Sequence, residues 1–332
     1  MTTAGQQSSI VNHPIVNRMD GLLLIDKPRG MTSHDVVARV RRWTGVRQVG
    51  HAGTLDPLAT GLLVLCVGYA VRLSEYLTGK EKAYIGRIKL GERTSTDDAE
   101  GELIARRDVQ VTQEDLARIA PAFTGEIWQT PPQYSAVQVQ GRRAYKLARR
   151  GEHVDLAPRR VVIHELTLTP IPHAVDSPFV YEVEMRVTCS AGAYIRALAR
   201  DIGEALGCGA HLTLLRRTRS GSFTLAEAVT LDQLEQAAHS GTWSTYLLPA
   251  DRAVEDMPRC DLDNDTARRL QMGRFVPFPS NWVAAAEGGL CRVYDAGGCF
   301  VALAVYDAHH ALLKPAKVLV QPQLSSPHLS AP

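Results

Sequence analysis

What the 332-residue chain lacks narrows its chemistry first. It has no G-x-x-x-x-G-K-[ST] loop, no G-x-G-x-x-G turn opening a helix, no H-E-x-x-H, and no H-x-E with P-C-x-x-C. P-loop, dinucleotide, zincin and zinc-deaminase chemistries are therefore excluded, and no metal or cofactor is expected. The six cysteines (Cys66, Cys189, Cys208, Cys260, Cys291, Cys299) include no C-x-x-C pair. They read as reduced thiols of a cytosolic protein rather than a disulfide framework. No apolar run approaches the roughly 20 residues of a membrane helix. The N-terminal stretch lacks the basic flank and apolar core of a signal peptide, so a cytoplasmic protein without membrane contact is expected. Excess charge is absent as well: the formal net charge is +2. A nucleic-acid partner has to be sought in the distribution of charge, not in its sum.

What is present is an ordinary globular composition, 45% hydrophobic and 22% charged, in a chain long enough for one large and one small domain. Residues 1–18 and 323–332 are polar and expected to be disordered tails. "GLLLID" (21–26) and "LLVLCVG" (62–68) read as buried strands, whereas "YIGRIKLG", "VVIHELTLTPI" and "FVYEVEMRVTCS" contain alternating, half-exposed stretches. "SHDVVARVRRWTG" predicts a helix with Ser33 as N-cap and Gly45 as stop. "TQEDLARIAPAFTG" opens on a Thr112–Asp115 capping box, and "YIRALARDIGEALG" (194–207) carries an apolar helical stripe. Helices mixed with long alternating strands predict an α+β fold on a mixed, largely antiparallel sheet. The texture changes near 250–258, so a large domain over 19–252 and a small β-rich domain over 256–322 are expected.

Three groups of residues suggest chemistry. In "GHAGTLDPLATGLL" (50–63), Asp56 precedes a proline. Such a pair is commonly a plain turn. Here, glycines, His51 and Thr54 surround it, and an apolar strand anchors it, which is how a reactive carboxylate would be rigidly mounted. Tyr194 and Arg196 flank the core stripe of their helix; they are either rim residues or partners of a carboxylate in a cleft. Lastly, Arg142, Arg143, Lys146, Arg149 and Arg150 cluster around Tyr145 without an acid between them. Further groups are Arg39/Arg41/Arg42/Arg47, Arg159/Arg160 and Arg216/Arg217/Arg219. One such run is usually a solvated face. Four on a nearly neutral chain point to positive charge gathered for a phosphate backbone.

Taken together these stretches resemble the TruB-type tRNA pseudouridine synthases, in chain order. "GHAGTLDPLATGLL" is similar to the catalytic motif, "GLLLIDKPRGMTSHDVV" to the opening strand and turn, and "KAYIGRIKLGERTSTDDAEG" to a tyrosine-bearing strand. "PPQYSAVQVQGRRAYKLARRGE" resembles an RNA-gripping insertion (about 130–160), and "CSAGAYIRALARDIGEALGCGAHLTLLRR" the helix with Tyr and Arg. The resemblance covers about 20–225; beyond 255, position and length suggest a PUA-like RNA-binding module. One departure stands out: Ala191 replaces a usual Lys or Ser, and Ala193 a usual Thr.

The resemblance implies a pseudouridine synthase fold and Asp56 as catalytic carboxylate. It implies Tyr84 against the target uracil, Arg196 holding Asp56, Tyr194 and Leu215 lining the pocket, and His51 displacing stacked bases. The implied substrate is the uridine at position 55 of the tRNA T loop, with no guide RNA or obligate protein partner. A carboxylate with a reference pKa of about 3.9 is ionised at neutral pH, so its task demands position rather than activation. Attack on sugar, attack on base, and removal of a sugar proton all remain open, with Tyr84 a candidate base for the C5 proton. Two other readings compete: a guide-RNA-dependent rRNA synthase, and a non-catalytic tRNA-folding chaperone. Asp97 and Asp98 read as a separate, solvated acidic loop.

Overall fold

The computed structural model describes residues 19–139, 141–148, 150–152, 154–172, 178–279 and 288–319. The two expected tails and Arg149 lie outside the described residues. A ten-stranded sheet forms the spine. Its order is Val229–Thr230, Gly21–Lys27, Thr60–Val67, Ala210–Ser220, Lys82–Leu90, Glu182–Cys189, Arg159–Ile171 and Gly125–Gln129. Two short strands, Val49–His51 and Phe223–Thr224, pair alongside. Pairing is antiparallel except where Val229–Thr230 meets Gly21–Lys27 and Ala210–Ser220 meets Thr60–Val67. The fold is the expected mixed α+β type.

The continuous apolar runs have a simple cause. Leu23, Ile25, Leu63 and Leu65 point into one core with Val36, Val40, Leu198, Ile202 and Leu234, from three helices. Leu22, Leu24, Leu62 and Val64 point oppositely, into a second core under residues 68–78 and the C-terminal unit. Central strands covered on both faces need apolar residues at every position. Glu182–Cys189 lies further out and keeps the alternation of a strand covered on one face.

Thr32, not Ser33, caps the first helix: its side chain accepts from Asp35 N, and Asp35 returns the bond in a capping box. Ser33 is already helical and buried, which frees its hydroxyl for another task described below. Gly45 ends that helix in the left-handed conformation, as its position suggested.

A second, five-stranded sheet (Arg259–Asp261, Leu290–Tyr294, Phe300–Asp307, Leu312–Val318, Val276–Pro277) and the helix Asn264–Gln271 build the C-terminal unit. Its connection is no loose linker. Ala253 and Val254 are buried in the second core beside Leu303 and Leu319. Arg72 donates to Val318 O at 2.5 Å, and Lys317 meets Glu75 at 2.7 Å, so the unit is docked on residues 72–75.

Candidate active site

The loop before Thr60–Val67 is fastened from several sides. The Ser33 hydroxyl accepts from Leu55 N (2.8 Å) and donates to Leu55 O (3.1 Å). Gly30 N donates to Pro57 O (2.8 Å), and buried Lys27 donates to Met31 O (2.6 Å) and Pro28 O (2.9 Å). Arg217, buried beneath, donates to Leu62 O (2.7 Å) and Gly53 O (3.1 Å). Gly61 allows that approach: its φ is +94°, and a Cβ there would sit 2.3 Å from Arg217 O. A carboxylate stands in this turn because the turn's backbone is held almost bond by bond.

Arg196 is the other half of the site. Its Nε donates to Asp56 Oδ2 at 2.9 Å, Nη1 to Thr96 O at 2.8 Å and Nη2 to Tyr134 O at 2.9 Å. The arginine side chain is 6% exposed while that of Asp56 is 40% exposed. The guanidinium is thus locked by three segments, and the carboxylate opens to solvent with Oδ1 unbonded among the described residues.

Asp98 corrects the sequence reading. It is buried, not solvated, and its Oδ2 lies 3.5 Å from Arg196 Nε. Thr96 Oγ1 and Glu100 N donate to its Oδ1. Asp97 pairs with Arg200 at 2.9 Å, and burial raises its pKa against the pull of that arginine. The "TSTDDAEG" loop is therefore a wall of the site, and Arg196 serves two carboxylates.

The other expected pocket residues are placed as follows. Tyr84 is partly buried in the main core near Arg217, and burial raises its phenol pKa. Tyr194 caps the helix Ile195–Ala205, its main chain bonded at both N and O by the buried side chain of Gln129 (3.0 and 3.3 Å). Leu215 is buried in the same core. His51 sets its ring against His34 at 5.3 Å between centroids. Burial, with His34 and Arg217 nearby, lowers its pKa, so a neutral ring is favoured. Ahead of Tyr194, Ala191 and Ala193 present only methyl groups, and Ser190 Oγ holds the turn by accepting from Val162 N.

The basic groups fare differently. Arg142, Arg143, Lys146 and Arg150 are exposed and unpaired with acids among the described residues. They ride on an insertion whose small core (Val137, Ala144, Leu147, Val154, Leu156) packs on Tyr194. In contrast, Arg217 is buried, Arg216 is bound to Asp26 at 2.7 Å, and Arg160 is paired with Glu126. Of the arginines in the "LLRRTRSG" group only Arg217 is buried, while Arg216 and Arg219 are half-exposed and paired with Asp26 and Glu81.

Lys27 and Gln129 escaped the sequence reading, and Ser33 and Arg217 were given other roles there, an N-cap and part of a charged surface. A lysine closing an apolar strand and an arginine inside one were the available signals, since neither charge is cheap to bury.

Solved chains with the same architecture include one from a Cbf5-Nop10-Gar1 complex, with a TM-score of 0.68, 26% identity, and coverage of 93% of this chain and 88% of that one. The fold is of the pseudouridine synthase type. The family model "TruB family pseudouridylate synthase (N terminal domain)" matches residues 41–195, and "tRNA pseudouridylate synthase B C-terminal domain" matches 196–255. Relatives named tRNA pseudouridine synthase B include that of Thermobifida fusca, 57% identical over 65% of this chain and 74% of its own length. That of Geobacillus thermodenitrificans is 41% identical over 90% of this chain and 99% of its own length. The chain belongs to the TruB family of pseudouridylate synthases.

Proposed function

We propose that the chain converts uridine to pseudouridine in tRNA, at position 55 of the T loop, without guide RNA. The supporting observation is the half-open Asp56 carboxylate, fixed by Arg196 Nε at 2.9 Å on a loop bonded along its length. The N1–C1′ bond breaks, the uracil turns in the pocket, the C5–C1′ bond forms, and the C5 proton leaves as N1 gains one. Asp56 supplies the carboxylate oxygen this sequence requires, whichever atom it first engages. A base inside a folded loop reaches such a pocket by eversion, which costs a few kcal/mol recovered in the pocket. The exposed cations of the insertion grip the loop by its phosphates, and the C-terminal unit adds RNA contacts of PUA-like kind.

The stand-alone reading is favoured over a guided one because the relatives named tRNA pseudouridine synthase B are 41–57% identical in the two comparisons above, against 26% for the Cbf5 chain. The test is a transcribed T-arm hairpin with this chain alone. The wild type should form pseudouridine at one site, and Asp56→Asn should bind the hairpin yet form none. Product from Asp56→Asn would remove Asp56 from its role, and activity only with added guide RNA would reverse the stand-alone reading.

A further inference from the structure

The pairing of the positive groups leaves a cation at the rim of the site that the reaction scheme has not used. Arg159 opens the strand Arg159–Ile171, where the chain returns from the basic insertion. Its register partner is Gln129. Directly opposed residues of an antiparallel pair point to the same face. Gln129 uses that face to hold Tyr194, two residues before Arg196. The Arg159 guanidinium therefore emerges beside Tyr194, and its charge acts on the Tyr194 phenol. The next residue, Arg160, is opposed to Trp128, turns to the other face and is neutralised by Glu126. Arg159 is exposed and has no acid or hydrogen-bond partner among the described residues.

We propose that Arg159 binds a backbone phosphate flanking the everted nucleotide and so sets how far the uridine enters the pocket. The inference rests on the substrate reading above. When a base is everted into a closed pocket, its flanking phosphates stay at the mouth. A planar guanidinium matches the paired oxygens of a phosphate. Arg159 is anchored on a strand of the main sheet, whereas Arg142, Arg143 and Arg150 stand on an insertion with its own small core. The insertion supplies affinity along the loop, and Arg159 supplies register at the reacting nucleotide.

The test uses the full chain and T-arm hairpins, either unmodified or carrying one neutral methylphosphonate just 5′ or 3′ of the target uridine. Arg159→Ala should weaken binding of the unmodified hairpin about ten-fold. It should also lower the slope of log K against log salt by about one. One of the two methylphosphonates should penalise the wild type by a similar factor and leave Arg159→Ala unaffected. Arg159→Lys should restore the salt slope and part of the affinity, a rescue that a merely structural role would not give. Unchanged affinity and slope in Arg159→Ala would overturn the proposal. So would penalties from the variant and from both methylphosphonates that simply multiply. Asp56→Asn, run beside it, should keep the wild-type binding and slope. If that variant instead formed pseudouridine, the role of Asp56 would fall while the phosphate result stood by itself.

Discussion

Replacing Arg196 by methionine keeps the length of the side chain and removes every donor, so its effect can be worked out from the partners. Thr96 O and Tyr134 O lose charge-assisted bonds of 2.8 and 2.9 Å, and Asp56 and Asp98 are left facing one another without the cation between them. A buried carbonyl left unpaired costs about 1–3 kcal/mol. Removing one partner from a fully buried ionic cluster costs about 3–5 kcal/mol; with Asp56 40% exposed, the lower end, about 3 kcal/mol, is expected here from denaturant unfolding. Catalysis should fall further than stability suggests, because a displacement of ~1 Å at a reacting group costs about 100-fold in rate. The rate is read from single-turnover release of tritium placed on C5 of the target uridine, since that hydrogen must leave. Adding Asp98→Asn to Arg196→Met removes one of the two stranded charges, and should regain about 1–2 kcal/mol of stability without regaining the rate. A folded Arg196→Met protein that releases tritium near the wild-type rate would refute the view that this guanidinium positions Asp56.

Two further outcomes are expected. Ser33→Ala removes both bonds to Leu55 and strands a buried N–H, so stability should drop by about 1–3 kcal/mol; the single-turnover rate should fall while the hairpin dissociation constant holds. Burial lowers the pKa of Lys82 to about 8 from 10.5. Below pH 8 both folded and unfolded states carry the proton and the folded state bears the full penalty; between about 8 and 10.5 the folded state sheds it first. The stability of the wild type relative to Lys82→Met should therefore rise with pH across that window in urea melts, and a flat difference would contradict it.

How much of this was legible beforehand depended on whether the signal was local. The strands and helices that were read followed from periodicity, and the Thr112–Asp115 box formed as spaced. The central strand Ala210–Ser220 and the helix Leu231–His239, however, went unread. The N-cap shifted by one residue because Thr32 and Ser33 are both competent caps, and only the loop that Ser33 meets, 22 residues on, decides between them. Asp98 was misread for the same reason. Two adjacent acids near Gly look solvated until a helix 100 residues later brings Arg196 and Arg200 to them. The arginine groups were counted along the chain, but pairing with Asp26 or burial under Leu62 is decided across the sheet.

The helix Ile195–Ala205 holds its surroundings in a particular way. Arg196 and Arg200 reach Thr96, Tyr134 and Thr130 through main-chain oxygens, which every residue type offers alike. The fastening is thus blind to side-chain identity at Thr130 and Tyr134, but not at Thr96, whose hydroxyl also donates to Asp98. Side chains at Thr130 and Tyr134 can therefore change while the carboxylate stays where it is, and grafts between relatives should succeed whenever backbone length is kept across 130–134.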